Sequence, residues 1–360
     1  MPSRREFLKN VAGMPAGIAF VSCGLLDAQP AQPKRRQVMV GGRRVKTVDF
    51  HSHCAVPEAM ALMGDRPLVA PGGSAVYTNP DLVIGPDRLR AMDAQGVDVE
   101  ALSINPFWYQ AERDLARQII KIQNEKLAEL CAMYPDRFVA FASVALQHPD
   151  LAAEQLEEGV RKLGLRGAAI GGNVNNEEIS SEKFHPFWAK AEELGVAVFI
   201  HPQGIPELQK RLQGNGYLTN VIGNPLETTL AHSHLIFEGT LDRFPGLKIC
   251  GAHGGGYLPS YADRSDHGCV TFPANCTKTL KKHPTEYLRQ LYFDSLVFTP
   301  EALRHLIAEV GVNQIVMGTD HPFPWTSIAV DHILGTPGLS AADQRAILGG
   351  TASKLLRIPA

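Results

Sequence analysis

Short apolar runs alternate along the chain with longer segments whose apolar positions recur every three or four residues. The runs are TVDF (47–50), DVEALS (98–103), RFVAFASV (137–144), GAAIGG (167–172), VAVFIH (196–201), LKICGAH (247–253), LYFDS (291–295) and QIVMGTD (314–320). The helical periodicity falls at 87–96, 112–135, 150–164, 184–195, 225–245 and 299–311, with Gly or Pro at the ends. Several runs are apolar throughout, as strands buried on both faces of a parallel sheet are. Eight strands alternating with helices predict an α/β fold, a distorted (β/α)8 TIM barrel. A doubly wound sheet would want a GxGxxG turn after its first strand, and none is there. Residues 54–87 follow strand one and are rich in Pro and Gly, so they read as a lid insertion over the site.

The 360 residues are 44% hydrophobic and 20% charged, which is globular composition and enough chain for one large core. A net charge of -2 without a basic stripe excludes nucleic acid as a partner class. The N-terminus changes the picture. SRREFLKN carries Arg4-Arg5 followed by Phe7-Leu8-Lys9, then a weakly apolar stretch, 11–26, too short and too broken by Gly and Pro for a membrane span. This is the pattern of a twin-arginine signal, so the export machinery is an expected partner and the periplasm the expected destination. A non-functional signal would leave the protein in the cytoplasm. Residues 1–37 are therefore assigned to signal and linker and 38–360 to the barrel, the clusters PKRRQ (33–37) and GGRRVK (41–46) reading as polar linker. Six cysteines include no CxxC pair, which argues against a structural zinc cluster. Cys131 and Cys250 lie in apolar patterns and read as core thiols. Cys269 and Cys276 flank VTFPAN in a loop-like segment; an oxidising compartment would allow them to pair, and spacing alone leaves that open.

A barrel places its chemistry at the C-terminal ends of its strands. There the runs end in His51 and His53, His201, His253 and Asp320. Residues two apart on a strand face one side, so both imidazoles of DFHSH can meet one ion. Imidazoles with a carboxylate suit one divalent transition metal with an open position. Taken singly, each is more commonly a buried polar residue than a ligand; five on one rim point to a site. His232 and His234 lie two apart in a helix and face different ways. His185, His283, His305 and His332 are isolated. His321 adjoins Asp320 and reads as a support or a substrate contact. Cys54 reads as packing, since no base is paired with it.

The sequence resembles the amidohydrolase superfamily (amidohydrolase 2 type), in the branch of aminocarboxymuconate semialdehyde decarboxylase and related metal-dependent decarboxylases. The likeness runs from about Lys46 to Leu356 through DFHSH, RLRAMDAQGVDVEALS, YPDRFVAFASVAL, GNPLETTLA, FPGLKICGAHGGGYLPSYADR and MGTDHPFP. It implies that His51, His53, His201 and Asp320 ligate one divalent metal, zinc by family habit, with no organic cofactor. It implies that His253 is the acid/base residue. It implies a homodimer in which Arg264 reaches across the interface to a substrate carboxylate, a task that suits a guanidinium fork; a structural salt bridge is the plainer role for it. Three departures follow. No lysine stands at the end of strand four for a second metal. Gln203 stands where an aromatic residue is expected after HP. The insertion offers only Arg66 and Arg88 as a further substrate arginine, and neither aligns well.

Two reactions fit such a site. The branch implies non-oxidative decarboxylation of an aromatic or unsaturated small-molecule carboxylate. Hydrolysis of an amide, ester, lactone or C–C bond would use the same residues, and a non-catalytic binding protein would have little need of them.

Overall fold

The structure, a computed structural model, describes residues 35–64, 79–276 and 280–359. All eight apolar runs form parallel strands: β1 Val48–His53, β2 Val99–Ser103, β3 Phe138–Ala140, β4 Gly167–Gly171, β5 Ala197–His201, β6 Lys248–Gly251, β7 Tyr292–Asp294 and β8 Ile315–Val316. They pair in sequence order within two sheets, β1-β2-β3 and β4 to β8. Parallel bridges Ala142–Ala168 and Ser52–His321 join the sheets at both edges. The sheet inside is dry: Phe50, Phe141 and Phe199 interlock with centroids 5.1 to 5.9 Å apart, among Val48, Val99, Ala101, Ala169 and Val316.

The periodic segments form α1 Pro86–Gln95, α2 Arg113–Met133, α3 Pro149–Arg161, α4 His185–Leu194, α5 Asn224–Phe237 and, later, α7 Pro300–Val310. Proline enters the first turn of α1, α3, α4, α5 and α7, where its missing N–H costs no helical bond. Glycines at φ 78° and 59° close α1 and α4. The predicted helix 225–245 is two: Gly239 at φ 77° separates α5 from Thr240–Arg243. Sequence periodicity missed α6, Ala262–Thr271, whose exposed face includes an apolar Val270, and the short helices Ala329–Gly335, Ala341–Arg345 and Thr351–Leu355.

Three further expectations change. Residues 35–46 are not a linker. Val38 and Val40 are buried, Met39–Val40 pairs antiparallel with Arg43–Arg44, and Arg35 and Arg44 both reach the sheltered Asp98 at 2.7 Å. The compact unit therefore begins at Arg35. The twin-arginine segment itself lies outside the described residues. Within 54–87, Pro57–Ala61 is a helix and Pro80–Leu82 a 3-10 turn, so the insertion is partly regular; 65–78, with Arg66, lies outside the described residues. Cys269 and Cys276 do form a disulfide, with Cα atoms 5.5 Å apart, but Cys269 sits on α6 rather than in a loop. Cys250 is buried, as expected, and Cys131 half-buried. No helix among the described residues is long and apolar enough to cross a membrane.

Close strand packing makes one position unforgiving. A Cβ on Gly167, at φ 147°, would lie 2.0 Å from the Ala197 carbonyl oxygen in the neighbouring strand. Gly167→Ala is expected to lower stability by about 3 kcal/mol or more, through overpacking and backbone strain together. Urea unfolding followed by circular dichroism measures this directly, and an unchanged midpoint would contradict the β4–β5 register.

Candidate metal centre

His51 and His53 belong to β1, where a register shift against β2 between Asp49 and Ser52 brings both rings to one side. Their Nε2 atoms are 3.1 Å apart. His201 ends β5, and its ring centroid lies 4.5 Å from that of His53. His253 and Asp320 fall just beyond their strands, not on them as the runs suggested. Chain turns carry them inward, at φ 55° and 62°, a left-handed strain typical of functional positions. One ligand atom from each of His51, His53, His201 and Asp320 lies within 4.8 Å of the other three, and all four residues are buried.

The polar partners show what this group needs. His51 Nδ1 lies 2.6 Å from Asp294 Oδ2, and His53 Nδ1 lies 3.0 Å from Ser103 Oγ. With Nδ1 donating to the Asp294 carboxylate, the lone pair of His51 Nε2 faces inward. It meets His53 Nε2 and, at 3.2 Å, Asp320 Oδ1, which is itself 2.9 Å from His53 Nε2. Asp320 Oδ1 and both ring nitrogens of His201 are buried without a hydrogen bond among the described residues. Converging acceptors in a dry interior repel one another unless a cation lies among them. Three imidazoles and one carboxylate therefore fit one divalent metal ion.

The electrostatics agree. Burial pulls His51 down, yet Asp320 and Asp294 prevail and raise its pKa to about 10. The cluster thus calls for positive charge. Burial drives His53 to about 4 and His201 well below its ordinary value, so both are neutral and able to ligate at neutral pH. Burial opposes the Asp320 carboxylate, but His51, His253 and His53 hold it well below the usual range.

His253 stands beside this set rather than in it. Its Nε2 is 3.7 Å from Asp320 Oδ2, its side chain is 15% exposed, and its backbone N–H donates to Asp294 Oδ2 at 2.8 Å. It is the one imidazole of the group with a path to solvent.

The expected substrate contacts divide. Gln203 is half-buried beside His201, with Nε2 buried and unpaired among the described residues. That atom lies 2.7 Å from where a Cβ on Gly171 would be, at the end of β4. Gln203 thus fills the place beside strand four where a lysine was absent from sequence. His321 is committed elsewhere: Nδ1 lies 2.8 Å from Glu100 Oε1, and its carbonyl accepts from His53 N at 2.7 Å. Arg88, considered for substrate, is buried with Nε 2.6 Å from Glu100 Oε2 and Nη2 donating to the His321 carbonyl. Both brace the rim from behind. Arg264 is exposed on α6 and forms no ion pair among the described residues, so the salt-bridge role for it is not seen. Burial raises the Cys54 thiol to about 12, in keeping with packing.

Sequence reasoning missed Asp294, Ser103 and Glu227. Ser103 ends the run DVEALS and Asp294 is the next-to-last residue of LYFDS and the last of β7, so the strand-end rule applied to every polar residue would have found them. Glu227, in the first turn of α5, offers no such signal. It is 3% exposed and accepts from Asn173 Nδ2 and from the Gln203 and Gly204 backbone. Burial pushes its carboxyl up to about 8, while those three donors pull it down.

The Amidohydrolase family profile matches residues 48–358. The chain belongs to the amidohydrolase family. It is 33% identical over 272 residues to 2-amino-3-carboxymuconate-6-semialdehyde decarboxylase of Dictyostelium discoideum, covering 75% of each chain. Among solved structures, 5-carboxyvanillate decarboxylase from Sphingomonas paucimobilis superposes with a TM-score of 0.79 at 26% identity, over 88% of this chain and all of that one. Dihydroxybenzoic acid decarboxylase from a Polaromonas species, solved with manganese and the inhibitor 2-nitroresorcinol, gives 0.76 at 28% identity, over 87% and 97%.

Asp294→Asn removes the carboxylate that orients His51 while keeping its shape. Metal affinity is expected to fall about 10- to 100-fold, as for other partners of ligating histidines. Competition with a chromophoric chelator measures it; affinity equal to wild type would refute the orienting role.

Proposed function

We propose that this chain is a metal-dependent decarboxylase, releasing CO2 without oxidation from an aromatic or unsaturated small-molecule carboxylate. The single observation that carries this is His253, an unligated, partly solvated imidazole against a four-residue metal centre, in a chain whose relatives are decarboxylases. The two sheets bridged at both edges support the distorted (β/α)8 barrel, with 54–87 as its lid insertion. His51, His53, His201 and Asp320 are the ligands. Three nitrogens and one oxygen suit Zn2+, although a relative holds manganese. When bound, the metal supplies Lewis-acid stabilisation of negative charge on the substrate.

The chain's own groups do the rest. His253 holds a proton at Nε2 and delivers it to the carbon that bears the carboxylate. The C–C bond then breaks, its electron pair restores the π bond that protonation consumed, and CO2 departs. His253 regains its proton from solvent through its exposed edge. Gln203 Nε2 offers a donor to a substrate oxygen. The aromatic floor of Phe50 and Phe199 excludes water and strengthens each charge interaction above it.

The assembly and address belong to the same reading. Tyr261, Val270 and Phe272 are each more than 60% exposed beside Arg264, which supports a homodimer that covers them and carries Arg264 to the partner's substrate. The disulfide supports export by the twin-arginine route to the periplasm, since such bonds persist in oxidising compartments. Cytoplasmic residence follows if the signal does not act.

His253→Ala should retain stoichiometric metal and lose about 10²- to 10⁴-fold in turnover. CO2 release from dihydroxybenzoates, carboxyvanillate and dienoic carboxylates is the assay, with esters and lactones as controls. Acid release without CO2 would move the same centre to hydrolysis. For Arg264, mixing inactive His253→Ala and Arg264→Ala subunits should restore part of the activity, because hybrid dimers hold one intact site. No recovery at any ratio would refute the cross-subunit arginine.

A further inference from the structure

The metal ligands are not held alike. His51 leans on Asp294 and His53 on Ser103, but neither ring nitrogen of His201 has a hydrogen-bond partner among the described residues. Ring contacts with His51, His53 and His253 flank it, but no hydrogen bond among the described residues aims it, so its direction depends on where its backbone is held. That backbone is anchored two residues on. The Glu227 carboxylate accepts from Gln203 N at 2.6 Å and from Gly204 N through the same oxygen, Oε2. Its other oxygen accepts from Asn173 Nδ2 at 2.9 Å, tying in the chain just after β4. The fit is close: a Cβ on Gly172 would come within 2.8 Å of Glu227 Oε1. Gly204, at φ 99°, adopts a conformation that lets two successive N–H groups point at one oxygen. Glu227 itself is carried by the first turn of α5.

We propose that Glu227 is a positioning residue that holds the metal ligand His201 through the backbone of the β5 loop, taking the place of a partner on the imidazole. Its role rests on the metal-centre reading above. The same bonds set Gln203, so Glu227 couples metal geometry to the donor offered to substrate. It touches neither metal nor substrate itself.

The test uses full-length protein loaded with Zn2+ or Mn2+, with metal release into excess chelator followed in time. Glu227→Ala is expected to release metal about 10- to 100-fold faster than wild type. Glu227→Gln keeps one oxygen for the two N–H groups and should show a smaller acceleration. Gly167→Ala, destabilised away from the loop, reports what lost stability alone does to release, and should do less than Glu227→Ala at a matched melting temperature. A folded Glu227→Ala that releases metal at the wild-type rate overturns the proposal. If that variant does not fold, an unchanged rate in Glu227→Gln overturns it. Wild-type protein that takes up no stoichiometric metal would overturn the metal centre itself, an outcome distinct from a silent Glu227.

Discussion

One buried carboxylate sets the geometry on which everything else depends. Asp294 accepts from His51 Nδ1, from the backbone N–H groups of His253 and Gly254, and from Leu296 N, at 2.6 to 3.0 Å. A single rigid group thus aims His51 of the metal site and fixes the chain that carries the proposed acid/base imidazole, His253. Burial alone would raise its pKa, but these donors hold it below the usual carboxylate value. The space is reserved by sequence as well: a Cβ on Gly318 would approach both Asp294 and His51 to about 3 Å. The MGTD turn therefore needs its glycine for packing before it needs its aspartate for chemistry.

Around that centre the supports come from the strands themselves, from α1 and from the turn after β8. Glu100 sits between Arg88 and His321, and Asp49 accepts from the Thr319 hydroxyl and backbone. Arg88, Glu100 and Asp49 are almost fully buried, and burial pushes the Asp49 carboxyl up to about 8; a buried ion pair such as Arg88–Glu100 costs more than it returns unless every partner is present. Here they buttress β1, β2 and the β8 turn, the elements that deliver His51, His53 and Asp320. The arrangement trades stability for a fixed rim, as sites that must not flex commonly do.

How much of this is legible in the chain follows from the same physics. Apolar runs report strands because a strand buried on both faces admits little else, so all eight appear in sequence. The ligand set is legible because barrel chemistry stands at strand ends. What escapes is tertiary. Glu227 lies on a helix and acts on a backbone 24 residues away, with no pattern to announce it. His321 reads from sequence as a support or a substrate contact, and only the buried Glu100 between it and Arg88 shows the support. The segment 35–46 reads as a linker because its arginines are polar, and only the buried Asp98 explains why they dock. The six cysteines showed that a pair was possible; only the turn after α6 brings Cys269 and Cys276 together.

The division between legible and hidden residues also separates chemistry from specificity. The four residues of the metal site, and the proposed proton carrier His253 with them, come from the strand rim, where backbone geometry is shared across each sheet and a change of one residue would strand a buried charge. The groups proposed to read a substrate come from loops and surfaces: Gln203 after β5 and Arg264 exposed on α6. Loop positions can change without unfolding the core, so one metal centre can serve different carboxylates by varying what surrounds it. In this chain the departure that bears most on the proposed substrate is Gln203, because a polar amide with an unpaired buried Nε2 stands two residues after His201 where an aromatic residue is expected. If Gln203 reads the substrate as proposed, its unpaired Nε2 is a donor that would favour a carboxylate carrying a hydroxyl or carbonyl oxygen on that side over a bare aromatic acid, because a buried donor left without a partner costs binding.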